Sequence, residues 1–149
     1  MNNSKLKIYL DNCCFNRPFD DQSLLSNHVE ALAKLKVQHL ILNGVYDYIW
    51  SDILEFENKD NPYIERKNRI IKWKHIACNI VHSNDIVINK AKEFVKLGLK
   101  PKDSLHIASS IIGKCDYFLT TDKGILKKAK SISEISILNP VDFISEMEV

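Results

Sequence analysis

A short apolar run near the start of the chain ends abruptly in a carboxylate. Lys7-Ile8-Tyr9-Leu10 is followed by Asp11 and then by a polar, irregular stretch. A brief continuous apolar run is typical of a strand buried on both faces in a parallel sheet. In open α/β sheets the ligand site lies just beyond the carboxyl ends of the strands. Asp11 is therefore either a ligand for a metal or a phosphate-bearing group, or a residue that caps the next turn or helix.

Strand and helix patterns alternate along the rest of the chain. Strands are predicted over residues 6–10, 46–50, 116–120 and 135–138. Helices are predicted over residues 23–43, 52 to about 60, 62–78, 85–97, 101–114, 124–129 and 141–146. Residues 13–21 are expected to form a loop, and residues 78–82 a short extended connector. The alternation predicts a mainly parallel sheet with helices on both faces.

Composition fits one globular domain that spans residues 1–149. The chain is 45% hydrophobic and contains no linker-like, repetitive or low-complexity stretch. Its apolar runs are too short to span a bilayer, and the polar N-terminus lacks a signal-peptide apolar region. A cytoplasmic protein without a membrane partner is expected. The net charge of +2 neither requires nor opposes nucleic-acid binding.

Four carboxylates lie where strands end or helices begin. Asp122 ends a second apolar run, and Glu55 follows the strand at residues 46–50, one helical turn after Ser51, a favourable N-cap. Because strand carboxyl ends and the following helix starts share one sheet edge, Asp11, Glu55 and Asp122 are expected there. Asp103 lies in the first turn of the helix at residues 101–114. The pattern leaves open whether that helix brings Asp103 to the same edge.

A cluster of carboxylates is chemically suited to a divalent cation. Unpaired carboxylates repel one another, and burial increases the cost, whereas a bound cation neutralises them. Oxygen ligands without a cysteine or histidine set suit Mg²⁺ or Mn²⁺. Such a site can activate water and stabilise the attacking and leaving oxygens of a phosphodiester displacement.

Five segments in order along the chain carry a resemblance to a known family. They are Ile8-Tyr9-Leu10-Asp11, Trp50-Ser51-Asp52-Ile53-Leu54-Glu55, Lys102-Asp103-Ser104-Leu105-His106-Ile107-Ala108, Phe118-Leu119-Thr120-Thr121-Asp122 and Leu138-Asn139-Pro140-Val141-Asp142-Phe143. With these segments the chain resembles PIN-domain proteins, which include the VapC-like toxin ribonucleases and related nucleases. The resemblance covers nearly the whole chain.

The resemblance implies a fold, an activity and a set of site residues. The fold is a three-layer α/β/α sandwich with a mainly parallel central sheet, and the activity is metal-dependent hydrolysis of RNA. Asp11, Glu55, Asp103 and Asp122 would be the catalytic acids that bind Mg²⁺ or Mn²⁺. Glu57 is the alternative to Glu55. The spacing from Ser51 favours Glu55 over Glu57. By analogy the protein is the toxin of a toxin–antitoxin pair, with an antitoxin partner, and forms a homodimer.

Residues around these acids are candidates for supporting roles. Thr120 or Thr121 would supply a hydroxyl beside Asp122. The segment after Asp11 departs from the family pattern, so residues 12–21 bear on substrate choice. In this segment Asn12 could support the site by hydrogen bonding. Arg17 could contact a phosphate, or it could pair with a nearby aspartate.

Other conspicuous residues have structural interpretations that compete with functional ones. The basic residues between positions 66 and 74 could follow a nucleic-acid backbone, but a solvated helix face is the simpler reading. Trp50 is predicted to lie in the core, and Trp73 is undecided between core and base stacking. His106 is predicted to be a packed or exposed histidine, because metal-bound water needs no additional base.

Two functional alternatives come from different classes. One is a PIN-like module that binds nucleic acid or protein and cuts poorly or not at all. The other is a phosphoacceptor or phosphatase in which Asp11 is the nucleophile. Such enzymes usually carry a second acid two residues later, where this chain has Cys13.

Overall fold

The computed structural model describes residues 5–148, apart from the side chain of Phe19. Five strands form one sheet in the order β3-β2-β1-β4-β5, and every neighbouring pair is parallel. The strands are β1 (Lys7–Leu10), β2 (Asp47–Ser51), β3 (Asn79–Val81), β4 (Tyr117–Leu119) and β5 (Ser136–Leu138). The predicted parallel α/β sheet is therefore confirmed.

Helices connect and flank these strands. They are α1 (Asn12–Asn16), α2 (Leu25–Leu42), α3 (Asp52–Lys59), α4 (Ile64–Ile71), α5 (Asp85–Lys96), α6 (Pro101–Ile112), α7 (Lys123–Lys128) and α8 (Pro140–Met147). Short 3-10 helices occupy Arg17–Phe19, Lys72–His75 and Ala129–Ser131. Among residues 5–148, no helix combines the length and apolar character needed to cross a membrane.

Two segments differ from the sequence-based prediction. The expected loop at residues 13–21 contains α1 and a 3-10 helix, because Asp11 caps α1 and the side chains of Cys14 and Phe15 pack into the core. The expected connector at residues 78–82 contains β3, which pairs with β2 and buries Val81. Both elements are too short to leave a periodic pattern in the sequence.

The predicted helix at residues 62–78 is shorter at both ends. It begins at Ile64, because the Asn61 side chain accepts a hydrogen bond from the Tyr63 backbone N–H at 3.1 Å and forms a turn before the helix. It ends at Ile71 and continues as a 3-10 helix through His75. The basic stretch therefore lies on two successive elements.

The centre of the core is β1, which has a strand on either side. Ile8, Tyr9 and Leu10 are completely buried, as their continuous apolar run predicts. Tyr9 stacks on Phe118 of β4 with ring centroids 5.3 Å apart. Trp50 is also completely buried, which confirms its predicted place in the core.

Strand register brings three strand ends together. Leu10 lies beside Leu119, and Tyr9 lies beside Ile49, two residues before the end of β2. Asp11 therefore emerges next to Thr120 and near Ser51, at the carboxyl edge of the sheet. The order of the sheet thus determines which polar residues can meet.

The end of α6 shows how packing selects residues in a turn. Lys114 has a φ of 60°, and the Cys115 backbone N–H donates to the Ser110 carbonyl at 2.9 Å. Glycine usually occupies such a left-handed position. The chain places its glycine one residue earlier, because a Cβ on Gly113 would lie 2.5 Å from Cδ1 of Ile49.

We predict opposite stability effects at these two positions. Gly113→Ala should destabilise the fold by about 1–3 kcal/mol, because the added methyl group overpacks the core. Lys114→Gly should stabilise it by about 0.5 kcal/mol, because it relieves a left-handed conformation. Urea unfolding of both variants measures the change, and equal stability of Gly113→Ala and the wild type would contradict the packing argument.

Candidate metal centre

Asp11 combines two roles at the end of β1. The residue is 5% exposed, and its Oδ1 accepts a hydrogen bond from the Asn12 backbone N–H at 2.8 Å, which caps α1. Its Oδ2 accepts hydrogen bonds from the Thr120 hydroxyl at 2.7 Å and from the Cys13 thiol at 3.4 Å. A carboxylate oxygen has two lone-pair directions, so Oδ1 keeps one for a further partner. Capping and ligand binding are therefore compatible at Asp11.

Glu57 of α3 and His106 of α6 lie next to Asp11. The Nε2 atom of His106 contacts Oε1 of Glu57 and lies 3.7 Å from Oδ1 of Asp11. One ligand atom from each of the three residues lies within 4.8 Å of the other two. The cluster thus joins β1, α3 and α6 at the carboxyl edge of the sheet.

A buried chain of hydrogen bonds orients His106. Its Nδ1 lies 2.7 Å from the Tyr9 hydroxyl, which in turn lies 2.6 Å from the Ser51 hydroxyl. The Ser51 hydroxyl also accepts a hydrogen bond from the Leu54 backbone N–H at 3.3 Å and thereby caps α3. The helix that carries Glu57 and the ring that contacts Glu57 are therefore fixed by the same serine.

The charge of His106 follows from its neighbours. Burial alone would lower the pKa of the imidazole, but the charges of Asp11 and Glu57 and the hydrogen bond to Glu57 together raise it. A protonated ring donates through Nε2 to Glu57 and through Nδ1 to Tyr9. In that form His106 places a positive charge between two carboxylates.

Asp103 adds a further negative charge at the start of α6. Burial, followed by the charges of Asp11 and Asp122, raises the pKa of its half-buried carboxyl to about 6, although His106 opposes the shift. Within residues 5–148 its side chain has no hydrogen-bond or ion-pair partner. Even a protonated His106 therefore leaves the acidic cluster incompletely balanced.

Asp122 caps α7 with one of its oxygens. Oδ1 accepts hydrogen bonds from the backbone N–H groups of Gly124 at 2.8 Å and Ile125 at 3.1 Å. Its own backbone N–H donates to the Thr120 hydroxyl, which donates to Asp11. Thr120 thereby links the two aspartates that follow β1 and β4.

Glu55 lies away from this cluster, although the spacing from Ser51 favours it over Glu57. Its side chain is 43% exposed and forms an ion pair of 2.6 Å with Lys74. The hydrogen bond from Lys74, more than any other contact, lowers the pKa of this carboxyl. The physical reason is helix phase: Glu57 lies on the face of α3 that buries Ile53 and Leu54, whereas Glu55 lies outside that face.

The remaining candidate residues have protein partners around the cluster. Arg17 forms ion pairs with Asp20 at 2.9 Å and Glu30 at 3.2 Å, which corresponds to the ion-pair alternative. It also donates a hydrogen bond to the Thr121 hydroxyl at 2.9 Å. Asn12 contacts Asp11 through its backbone N–H rather than through its side chain.

Three residues of the site were not among the favoured sequence candidates. Glu57 could have been found from its position four residues after Ile53 and three after Leu54, both buried. His106 lies three residues after Asp103, on the same face of a helix. Tyr9 could not be recognised from the sequence as a site residue, because it lies within an apolar strand and reads as a core residue.

The donor set fits a hard divalent cation. Both ring nitrogens of His106 are engaged, by Tyr9 and by Glu57, so the available ligand atoms are carboxylate oxygens. Mg²⁺ and Mn²⁺ prefer such oxygen ligands. His106 is then a residue that orients Glu57 beside the cation.

The raised pKa of Asp103 predicts a pH-dependent gain for Asp103→Asn in the metal-free protein. An acid with a raised pKa stabilises the fold below its unfolded pKa of about 3.9 and loses that contribution as pH rises through about 6. The variant should therefore be about 1 kcal/mol more stable at pH 7.5, allowing for solvent screening, and equally stable at pH 4. Urea unfolding with a chelator tests this prediction. Asp60→Asn, at an exposed carboxyl, is the control, and the same gain at both pH values would contradict the electrostatic cause.

Comparisons with known proteins identify the fold. No family model and no curated protein match the chain. The chain resembles a chain in the solved structure of VapBC2 from Rickettsia felis, which is bound to a DNA fragment from the VapBC2 promoter. The match has a TM-score of 0.57 and 14% sequence identity, and it covers 90% of this chain and 98% of that chain. The chain therefore shares the overall fold of that structure along nearly its whole length.

Proposed function

We propose that the chain is a metal-dependent ribonuclease that hydrolyses RNA phosphodiester bonds and acts as the toxin of a toxin–antitoxin pair. The observation that carries this proposal is the meeting of Asp11 and Glu57 at the carboxyl edge of a parallel sheet. Asp103 and Asp122 are close enough for their charges to interact. The fold shared with VapBC2 agrees with the proposal.

The protein groups have distinct roles in this reaction. Asp11 and Glu57 would hold the cation, and Asp103 and Asp122 would add negative charge beside it. When bound, Mg²⁺ or Mn²⁺ supplies Lewis-acid stabilisation and lowers the pKa of a water molecule. His106 orients the Glu57 carboxylate, and Thr120 orients Asp11 by donating a hydrogen bond at 2.7 Å.

Positive charge around Glu55 supports a polyanionic substrate. A cavity of about 300 Å³ between α3 and α4 is lined by several basic side chains, among them Lys59, Lys67 and Lys74. Lysine side chains bind phosphate groups of nucleic acids without regard to sequence. The acids would cut a strand that these lysines help to attract.

An exposed apolar surface supports a protein partner. Leu25, Leu32, Leu35 and Leu42 of α2 are each between 47% and 75% exposed. Their spacing repeats along one side of the helix, and exposed apolar patches commonly mark interfaces. We assign this surface to an antitoxin, and a second copy of the chain, forming the homodimer, is the alternative occupant.

One observation favours the alternative of a weakly active or inactive binding module. Protein groups already engage the acids: His106 contacts Glu57, and the cap of α7 uses one oxygen of Asp122. If these contacts persist in the presence of Mg²⁺ and Mn²⁺, the chain would bind RNA or protein without cutting it.

Mn²⁺ titration of two glutamine variants on the same helix tests the proposal. At 100 times the dissociation constant, Mn²⁺ should stabilise the wild type by about 2.7 kcal/mol. Glu57→Gln should abolish this stabilisation and slow Mn²⁺-dependent RNA cleavage by roughly 100-fold or more, since it removes a ligand. Glu55→Gln is the matched control and should behave like the wild type, because Lys74 already pairs with Glu55.

Two aspartate variants complete the test. Asp11→Asn and Asp103→Asn should each reduce Mn²⁺-dependent cleavage of single-stranded RNA by a similar factor. Intact cleavage by both variants would contradict the catalytic assignment. A wild type that neither binds Mn²⁺ nor cuts RNA would establish the binding-module alternative.

A further inference from the structure

A second cavity, separate from the lysine-lined one, opens beside the acidic cluster, and Glu57 lines it. Its volume is about 230 Å³, and α1, the end of α3 and the turn before α4 surround it. The lining residues that matter are Asn12, Asn16, Glu57, Asn61, Tyr63 and Arg66. We propose that this cavity binds one unpaired nucleobase of single-stranded RNA, next to the phosphodiester that is cut. This inference rests on the proposed function.

An aromatic platform forms one side of the cavity. The Tyr63 side chain is 59% exposed, and the Arg66 guanidinium lies 4.3 Å from the centroid of its ring. Exposed aromatic rings with neighbouring arginines are the usual means by which proteins stack single-stranded bases. Tyr63 is the N-cap residue of α4, and its side chain makes no capping hydrogen bond.

The platform continues into a neighbouring cavity that carries more positive charge. This cavity, of about 350 Å³, is lined by Tyr63, Glu65, Arg66 and Arg69. Because Tyr63 and Arg66 line both cavities, a strand can place one base in the cavity beside Glu57 and its backbone along Arg66 and Arg69. Glu57 and Asp60 also line the cavity beside the cluster, so the positive charge available to a phosphate backbone lies at Arg66 and Arg69.

Amide side chains also line the cavity. Asn61 Nδ2 donates to Asn16 Oδ1 at 3.2 Å, and Asn16 Nδ2 donates to the Asn12 carbonyl at 3.1 Å. The Asn12 side-chain oxygen, in contrast, is buried and has no hydrogen-bond partner among the described residues. A side-chain amide presents a donor and an acceptor side by side, which complements the edge of a base.

Position relates this cavity to the site of cleavage. Glu57 lines the cavity and also contacts His106 beside Asp11. A base in the cavity therefore has its attached phosphate near the acids. The volume is below the roughly 300 Å³ of pockets that enclose a drug-sized ligand, which suits one base and excludes a base pair.

Binding of single-stranded RNA without divalent metal tests the cavity independently of cleavage. Fluorescence anisotropy with labelled oligonucleotides in a chelator compares the wild type with Tyr63→Ala, Tyr63→Phe and Phe56→Ala. Loss of one base–aromatic stack should weaken binding by Tyr63→Ala about 5- to 150-fold. Tyr63→Phe keeps the ring and should bind within about twofold of the wild type. Phe56→Ala removes an exposed ring that lies outside the cavity, since Phe56 is 54% exposed. This control variant should also bind within about twofold of the wild type.

Base selection supplies a second readout. Asn12→Ala should reduce the differences in affinity among oligonucleotides of the four bases, whereas Phe56→Ala should preserve them. Thermal unfolding verifies that each variant is folded. If the wild type binds RNA in this way but cuts none in Mg²⁺ or Mn²⁺, the proposed nuclease function fails and the base site stands.

One result would overturn the base site: a folded Tyr63→Ala variant that binds every oligonucleotide as tightly as the wild type.

Discussion

The contact of the buried His106 ring with two carboxylates is the interaction on which the rest of the site depends. Asp11 comes from β1, Glu57 from α3 and His106 from α6, so the contact ties three separate parts of the chain together. Without the ring, two carboxylates would face each other in a largely dry environment, which is costly. Tyr9 and Ser51 hold the ring from behind, and Ser51 also caps α3. The same residues therefore stabilise the packing around the sheet and fix the geometry of the acids.

Charge balance explains why this arrangement suits a cation. A single imidazolium cannot neutralise all the acids around it, and the charges of Asp11 and Asp122 add to the larger effect of burial in raising the pKa of Asp103 to about 6. A divalent ion would remove that excess of negative charge while Asp11 remains held by Thr120. Such sites trade stability of the metal-free protein for function, as strained or repulsive groups at active sites commonly do.

The sequence predicts some of these features and misses others for definite physical reasons. Asp11 and the buried strands were predictable, because an apolar run that ends in a charge reflects burial directly. The short elements β3 and α1 were missed. They contain three and five residues, which is too few for a repeat of apolar positions to be visible in the sequence. Glu57 was ranked below Glu55, since counting from the N-cap says less about helix phase than the buried Ile53 and Leu54. The role of His106 depends on Tyr9 and Glu57, which are distant in sequence, so no local pattern contains it.

A crystal structure with Mn²⁺, examined by anomalous scattering at the manganese edge, tests the central claim most directly. The account predicts a manganese peak bonded to carboxylate oxygens of Asp11 and Glu57, with Asp103 or Asp122 beside it and His106 still contacting Glu57. Two results would contradict the account. One is a crystal soaked in saturating Mn²⁺ that shows no manganese peak between Asp11 and Glu57. The other is manganese bound at Glu55 instead.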